Sequence, residues 1–595
     1  MREFFKMMLA SMVGFLLASV LFSFLTLVVL AAMISLAPKE DVTVPAEAVL
    51  HIRLDMPLQD RGVKSPFDAF GSYGSTRPLG LNEVLRSLEA AAADDRIKGI
   101  YLEMGMVQGG MATLEELRNG LIRFRESGKP VIAFGDIVGQ QSYFLSSMAD
   151  KVYLSPKGLL DFSGLSAQVA FLKGLSEKMK VEMQVIRPSN NTYKSAVEPF
   201  MLDRMSEANR EQTNRFLESI WGEMLQRVST SRNIPVEQLN LIADSLLSIN
   251  TEKAYAHGLV DGLLYHDQLL DSLRTMMGIT STDKIDMISL GRYTRISERE
   301  VASSLLKRKQ PDRVAVIYAT GTIMMGRGEE TVISSSHMSS AIRKARKDDK
   351  VKAIVLRINS PGGDGIASEI IWREVALAAA EKPVVVSMGD LAASGGYYIA
   401  APATKIVAQP NTLTGSIGVF GVVPNMQKMF NEHLGITFDE VKTNANSGFG
   451  NFSRPLTPFE LQLLQKHIDE FYDHFLERVA TGRGMTAEAV DAIGQGRVWS
   501  GVDAMELGLV DALGGLDEAI RIAAAEAGID DYRVLELPEQ VDPFTRIFRQ
   551  LSGETRADGL IRKHLGTHYH YYEMMQEVGR LEGVQARLPY MITVQ

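Results

Sequence analysis

The 595-residue sequence contains no cysteine and only ten histidines. The missing thiol removes cysteine nucleophiles, disulfides and thiolate metal sites together, and a cysteine-free chain suits either redox compartment. Strong charge is absent too: a net charge of −9 over this length is only mildly acidic and speaks against a phosphate-binding surface, so nucleic acid is not expected as a partner. The chemistry then falls to Ser, Lys, His or carboxylates. With 46% hydrophobic residues and this length, the chain outgrows one ordinary core, and at least two domains or repeats are expected.

From Met7 to Ala37 no charged residue occurs. The run exceeds the roughly 20 apolar residues that a bilayer requires. It also outlasts the roughly 7–15-residue core of a cleavable signal peptide, the competing reading. Arg2 and Lys6 precede it, and Lys39, Glu40 and Asp41 follow. The positive-inside bias therefore predicts a cytoplasmic tip over 1–6, a transmembrane anchor over 7–37 and the remainder outside.

The segment Asp94-Asp95-Arg96-Ile97-Lys98-Gly99-Ile100 returns as Asp348-Asp349-Lys350-Val351-Lys352-Ala353-Ile354. Lys129-Pro130-Val131-Ile132 answers Lys382-Pro383-Val384-Val385, and Gly258-Leu259-Val260-Asp261 answers Gly508-Leu509-Val510-Asp511, at nearly the same offset. Such persistence marks a duplication. It predicts two copies of one fold, 45–285 and 314–530, with a charged linker over 286–313 and a tail over 531–595. Short β-branched runs such as Val314–Tyr318, Ala353–Ile358 and Val384–Ser387 alternate with helical stretches, which implies an α/β fold of βαβ units. A longer helix is expected in each copy, over Glu207–Ser229 and Pro458–Ala480, capped by Ser206 and Thr457.

The copies differ where chemistry is needed. In the second, a strand runs into Ala392-Ala393-Ser394-Gly395-Gly396-Tyr397, a serine among small residues at a strand-to-helix turn, which resembles the logic of a nucleophile elbow without matching G-x-S-x-G. A purely structural turn explains the same pattern equally well. The first copy has Gln140 there, so the fold itself does not require serine. Upstream, Asn359-Ser360-Pro361-Gly362-Gly363 leaves backbone N–H groups accessible to an oxyanion, although an ordinary turn would look alike. No histidine stands in a glycine-rich or acidic motif. A lysine serves as base only if burial or a neighbouring cation lowers its pKa. Lys194, in Thr192-Tyr193-Lys194-Ser195-Ala196-Val197-Glu198-Pro199-Phe200, is the candidate, and the second copy has no lysine at the equivalent place. On spacing alone a solvated lysine is the default.

These segments, with Thr412-Leu413-Thr414-Gly415-Ser416-Ile417-Gly418, together resemble the signal peptide peptidase A (protease IV) family in its long, duplicated form. The resemblance implies two tandem ClpP/crotonase-like repeats and a Ser–Lys dyad built across them, with neither metal nor cofactor. Ser394 would be the nucleophile, Lys194 the base and Ser416 the group orienting the amine, with Gly362 or Gly363 and Gly395 forming the oxyanion hole. It further implies a homotetramer at the bacterial inner membrane, facing the periplasmic or outer side, in contact with lipid and degrading signal peptides and other unfolded peptides. Two rivals stand beside it, a crotonase-type acyl-CoA enzyme and a non-catalytic membrane scaffold. In the tail, His564, His568 and His570 have a spacing that could suit a metal, but packing or solvation is the expected role.

Overall fold

The computed structural model describes residues 2–36, 43–53, 58–62, 80–280, 284–305, 312–327, 332–540, 584–588 and 593–594. The tail histidines lie outside the described residues. The chain divides into a smaller unit containing the helix Arg2–Leu36 and a larger one comprising 44–62, 78–540 and 555–595.

Within the larger unit the first half forms a parallel six-stranded sheet. Its strands run Gly262–Leu263, Lys151–Leu160, Val131–Val138, Ile97–Glu103, Ala48–Arg53 and Met287–Ser289 across the sheet. The strands Ala48–Arg53, Ile97–Glu103 and Val131–Val138 bury most of their residues, as parallel strands covered by helices do. The helix His266–Met277 presses Leu269, Leu273 and Met277 onto Val49, Tyr101, Ile132 and Phe134. In the second half, Asp312–Thr320, Val351–Ser360 and Val384–Ala393 form the centre of an eight-stranded sheet, and Leu516, Ala519 and Ala523 of the helix Leu516–Glu526 cover Val314, Val316, Val355 and Val385. The chain is α/β.

The repeated sequence motifs do the same physical work in each half. Lys129 donates to the carbonyls of Ala91 and Asp94 at the end of the helix Leu81–Ala93, and Lys382 to those of Ala345 and Asp348 at the end of Ser335–Lys347, satisfying carbonyls that the helices leave free. Asp261 accepts from the Val152 amide and Asp511 from the Ile406 amide. The hydroxyls of Tyr143 and Tyr397 donate to Leu259 and Leu509. The long helices run Glu207–Arg232 and Pro458–Arg483, with Ser206 and Thr457 accepting from Asn209 and Glu460. The stretch expected as a linker contains the strand Met287–Ser289 and the helix Leu290–Leu305.

A third sheet crosses the halves. Its order is Ile333–Ser334, Ile323–Met324, Gly362–Asp364, Val584–Arg587, Phe420–Asn425 and Glu182–Ile186, so it draws strands from the first half, the second half and the C-terminal region. A buried ion cluster also joins the halves. Arg357, 1% exposed, donates through Nε and Nη2 to Asp60 at 2.9 and 2.7 Å and pairs through Nη1 with Glu116 at 2.7 Å. Asp390 accepts from both the amide and the hydroxyl of Thr113, at the start of the helix Met111–Glu126.

One expectation is overturned. Among the described residues no helix is long and apolar enough to cross a membrane. The anchor over 7–37 is therefore corrected, and with it the inner-membrane localisation, the cytoplasmic N-terminus and the lipid contact that depended on it.

Replacing Arg357 with Met removes the cation but leaves two carboxylates buried, which costs about 3–5 kcal/mol. Urea unfolding of Arg357→Met should show a midpoint well below the parent's; a midpoint close to the parent's would mean the cluster does not hold the halves together.

Candidate active site

The strand Val384–Ala393 ends at Ser394, and the helix Gly395–Ala400 begins directly after it. Ser394 lies at φ 55°, ψ −115°, a conformation that costs a non-glycine residue energy and persists only where surroundings enforce it. Its amide donates to Gly415 and its carbonyl accepts from Tyr398, both at 2.8 Å. Small neighbours are a steric necessity here, since a Cβ on Gly395 would stand 2.6 Å from Ser368 Oγ.

The lysine arrives from the first half along the third sheet. The strand Glu182–Ile186 pairs antiparallel with Phe420–Asn425, from Ile186 against Gly421 to Glu182 against Asn425, which carries the following chain across the second half. There the Tyr193 amide donates to Gln495 at 2.9 Å, and the Lys194 amide to Asn191 Oδ1 at 3.0 Å. Gly496, at φ 83°, has the backbone of residue 194 so close that a Cβ would lie 2.5 Å from that of Lys194. Gln212, on the helix Glu207–Arg232, ties the loop down by donating to the Tyr193 carbonyl and Ser195 Oγ while accepting from the Val498 amide.

At the end of this path Lys194 Nζ stands 2.7 Å from Ser394 Oγ, 2.9 Å from Ser416 Oγ and 3.0 Å from the Ser416 carbonyl oxygen. Lys194 is 1% exposed, and both serines are fully buried. Burial lowers the lysine pKa well below its ordinary value, with no carboxylate acting to restore it. A neutral amine fits these contacts: two N–H bonds serve the Ser416 carbonyl and hydroxyl, and the lone pair faces the Ser394 proton.

The glycines gather on the other side of Ser394. Gly362, at φ 98°, donates its amide to Ser360 Oγ at 3.1 Å, and Gly363 stands opposite Ala586 in the third sheet. A Cβ on Gly395 would lie 3.3 Å from the Gly363 nitrogen, so those two amides are neighbours. The carbonyl oxygen of Ala586 occupies the same nook, 3.1 Å from that hypothetical Cβ and 2.1 Å from one on Gly362.

All six residues singled out from sequence thus meet in one place. Sequence reasoning missed Asn191, Gln212, Gln495 and the strand Val584–Arg587; only the run Gly494-Gln495-Gly496 hinted that a backbone passes close. In the first half, the side-chain oxygen of Gln140 accepts from the amides of Ser163 and Gly164, a structural turn with no lysine. Among the described residues no group of three or more His, Asp or Glu is arranged to hold a metal ion.

The model of peptidase family S49 matches residues 123–280 and 376–530. Protease 4 of Salmonella typhi is 38% identical, the match covering 80% of this chain and 77% of that protein. Protease 4 of Haemophilus influenzae is 34% identical over 85% and 83%, and the chloroplastic serine protease SPPA of Arabidopsis thaliana is 33% identical over 86% and 74%. Among solved structures, a membrane-bound stomatin-specific protease in complex with a substrate peptide shares 16% identity at a TM-score of 0.27, covering 40% of this chain and 98% of that one.

Between the lowered value of Lys194 and the ordinary 10.5, the unfolded chain binds a proton that the folded chain does not, so this group makes stability rise with pH across that window. Lys194→Met removes that slope. Urea unfolding near pH 7 and pH 10 should show the parent gaining on the variant at the higher pH, by up to about 1.4 kcal/mol per pH unit inside the window; a gap independent of pH would mean the amine keeps its ordinary protonation.

Proposed function

As a member of peptidase family S49 this chain is a serine-type peptidase, and we propose that Ser394 is its nucleophile, Lys194 its general base and Ser416 the residue that orients the amine. The observation that supports this reading is the 2.7 Å contact between a buried amine and a buried, strained hydroxyl. Neutral Lys194 takes the Ser394 proton as Oγ attacks a peptide carbonyl, and the ammonium then protonates the leaving amine. Water releases the acyl group by the reverse path. The amides of Gly363 and Gly395 receive the developing oxyanion, with Gly362 shaping the nook; one such donor is worth about 2.7–4 kcal/mol.

The proposal extends to architecture and substrate. The segments 45–285 and 314–530 are taken as two ClpP/crotonase-like repeats, with 286–313 joining them and 531–595 as a tail, and four chains as the working assembly. Signal peptides and other unfolded peptides are the proposed substrates, since an extended backbone is what a site built from strand edges and glycine amides recognises. An acyl-CoA reaction would leave the lysine without a role.

Ser394→Ala and Lys194→Ala should each lower kcat/KM on a fluorogenic peptide by about 10²–10⁴-fold with the fold retained. Ser416→Ala should lower kcat about 10²-fold with little change in KM, because it acts by placing the amine. Parent activity should rise with pH along a limb well below the usual lysine range. A folded Lys194→Ala protein with parental activity would sink the assignment.

A further inference from the structure

Resting on that reading, we propose that Arg497 is a positioning residue for the reaction: it joins the loop carrying Lys194 to the chain carrying Ser416 and so sets where the amine stands. The guanidinium carbon of Arg497 lies over two rings, 4.5 Å from the centroid of Tyr193 and 4.4 Å from that of Trp499. Its Nη2 donates to Glu211 Oε1 at 2.8 Å, and the Tyr193 hydroxyl donates to Oε2 of the same carboxylate at 3.3 Å. Tyr193 and Glu211 come from the first half, Arg497 and Trp499 from the second. One side chain thus gathers an aromatic ring and a carboxylate from across the contact between halves.

Each ring stands one step from a group of the site. Tyr193 directly precedes Lys194. Trp499 pairs antiparallel with Thr414 in the strand Leu413–Gly415, which leads into Ser416. The indole lies against Gly415, where a Cβ would stand 2.9 Å from its Cδ1, and its N–H donates to the Ile493 carbonyl at 2.9 Å. The backbone of Arg497 closes the arrangement, since its carbonyl accepts from the Ser416 amide at 2.6 Å. Ser416 needs such support, because at φ 50° it occupies a region that a serine rarely adopts without enforcement.

Arginine suits this place as no other cation does. A planar guanidinium rests its face on aromatic rings while its edge still donates to a carboxylate, whereas an ammonium has no such plane. Among the described residues the Arg497 side chain makes no hydrogen bond to Lys194, Ser394 or Ser416, so it acts on them through Tyr193, Trp499 and its own carbonyl. The first half offers a contrast. The frame that matches Gly258 with Gly508 puts Leu247 and Ile249 at these two positions, in a short 3₁₀ turn. The arginine and the tryptophan stand in the copy that carries Ser394.

Steady-state hydrolysis of a fluorogenic peptide by the purified full chain, with urea midpoints measured alongside, tests this. Arg497→Lys keeps the charge and loses the plane; it should lower kcat about 10–100-fold with KM within about twofold of the parent's, because a misplaced amine slows proton transfer without touching the peptide. Tyr193→Leu should do the same, and Tyr193→Phe, which keeps the ring, should recover most of that loss. In a Ser416→Ala background Arg497→Lys should cost at most about threefold more, since both changes release the same amine. Parental kcat in Arg497→Lys, an effect confined to KM, or the full loss repeated in the Ser416→Ala background would overturn the positioning role. Each of these leaves the Ser–Lys reading standing provided Ser394→Ala and Lys194→Ala are inactive; parental activity in either of those two overturns both together. If Arg497→Lys fails to fold, the Tyr193 variants decide, and equal kcat values for Tyr193→Leu and Tyr193→Phe overturn the proposal.

Discussion

The constraint on which the structure turns is an amine kept in a dry space without a counter-charge. Removing a lysine from water is costly, and a carboxylate nearby would relieve the cost by fixing the proton that the proposed chemistry needs gone. The site accepts the penalty and supplies only neutral partners, two serine oxygens and one carbonyl, around Lys194. Such an arrangement persists only if the surroundings over-determine it. The strand Glu182–Ile186 is locked to the second half, Gln212 ties the loop at two points and holds Val498 at a third, and Gly496 leaves room for the backbone at residue 194. The amine and the alcohol come from different halves, so the contact between halves and the site are one problem.

Two copies of one fold have to become unlike before they can dock in a single way. The charge at one strand position shows how. Glu103, near the end of the first-half strand, is matched in the duplicated frame by Arg357. In the first half Glu103 pairs with His51 at 2.8 Å and stays partly exposed. In the second half the reversed charge attracts Asp60 and Glu116 from the first half and is buried with them. Asp136 and Asp390 correspond in the same frame, yet only Asp390 meets the start of a helix from the other half, through Thr113. A buried pair of this kind need not add much stability over apolar packing, but it penalises every misaligned docking. The same strands that hold Arg357 and Asp390 lead directly to Gly362 and Ser394.

What could be read from the sequence was whatever depends on local pattern. The duplication was visible because Lys129 and Lys382, or Asp261 and Asp511, make the same contacts in each half and so keep the same neighbours. Ser394, Lys194 and the glycines were only candidates on local pattern, because an ordinary turn and a solvated lysine fit it as well, and the resemblance to the signal peptide peptidase A family is what singled them out. The third sheet was not legible. Its members are two to six residues long, come from three distant regions and owe their pairing to position, so no periodicity marks them. Arg357 was missed because a charged residue at the end of an apolar strand normally signals solvent. The length of the charge-free run over 7–37 and its flanking charges predict a span, but among the described residues no helix is long and apolar enough to cross a membrane.

The third sheet also sets what kind of chain can lie beside the proposed nucleophile. Gly362–Asp364 and Phe420–Asn425 both pair with the strand Val584–Arg587 that lies between them, and strand edges of this kind bind an extended chain through its backbone. Recognition through the backbone is consistent with the unfolded substrates proposed above, since it asks only for a peptide that can lie extended. The same property makes an empty groove a hazard to the protein that owns it. Seating Val584–Arg587 there satisfies both edges, and Ser394 beside it is fully buried. The same pairing brings the Ala586 carbonyl against the glycine nook, so satisfying the edges and filling the nook are a single arrangement.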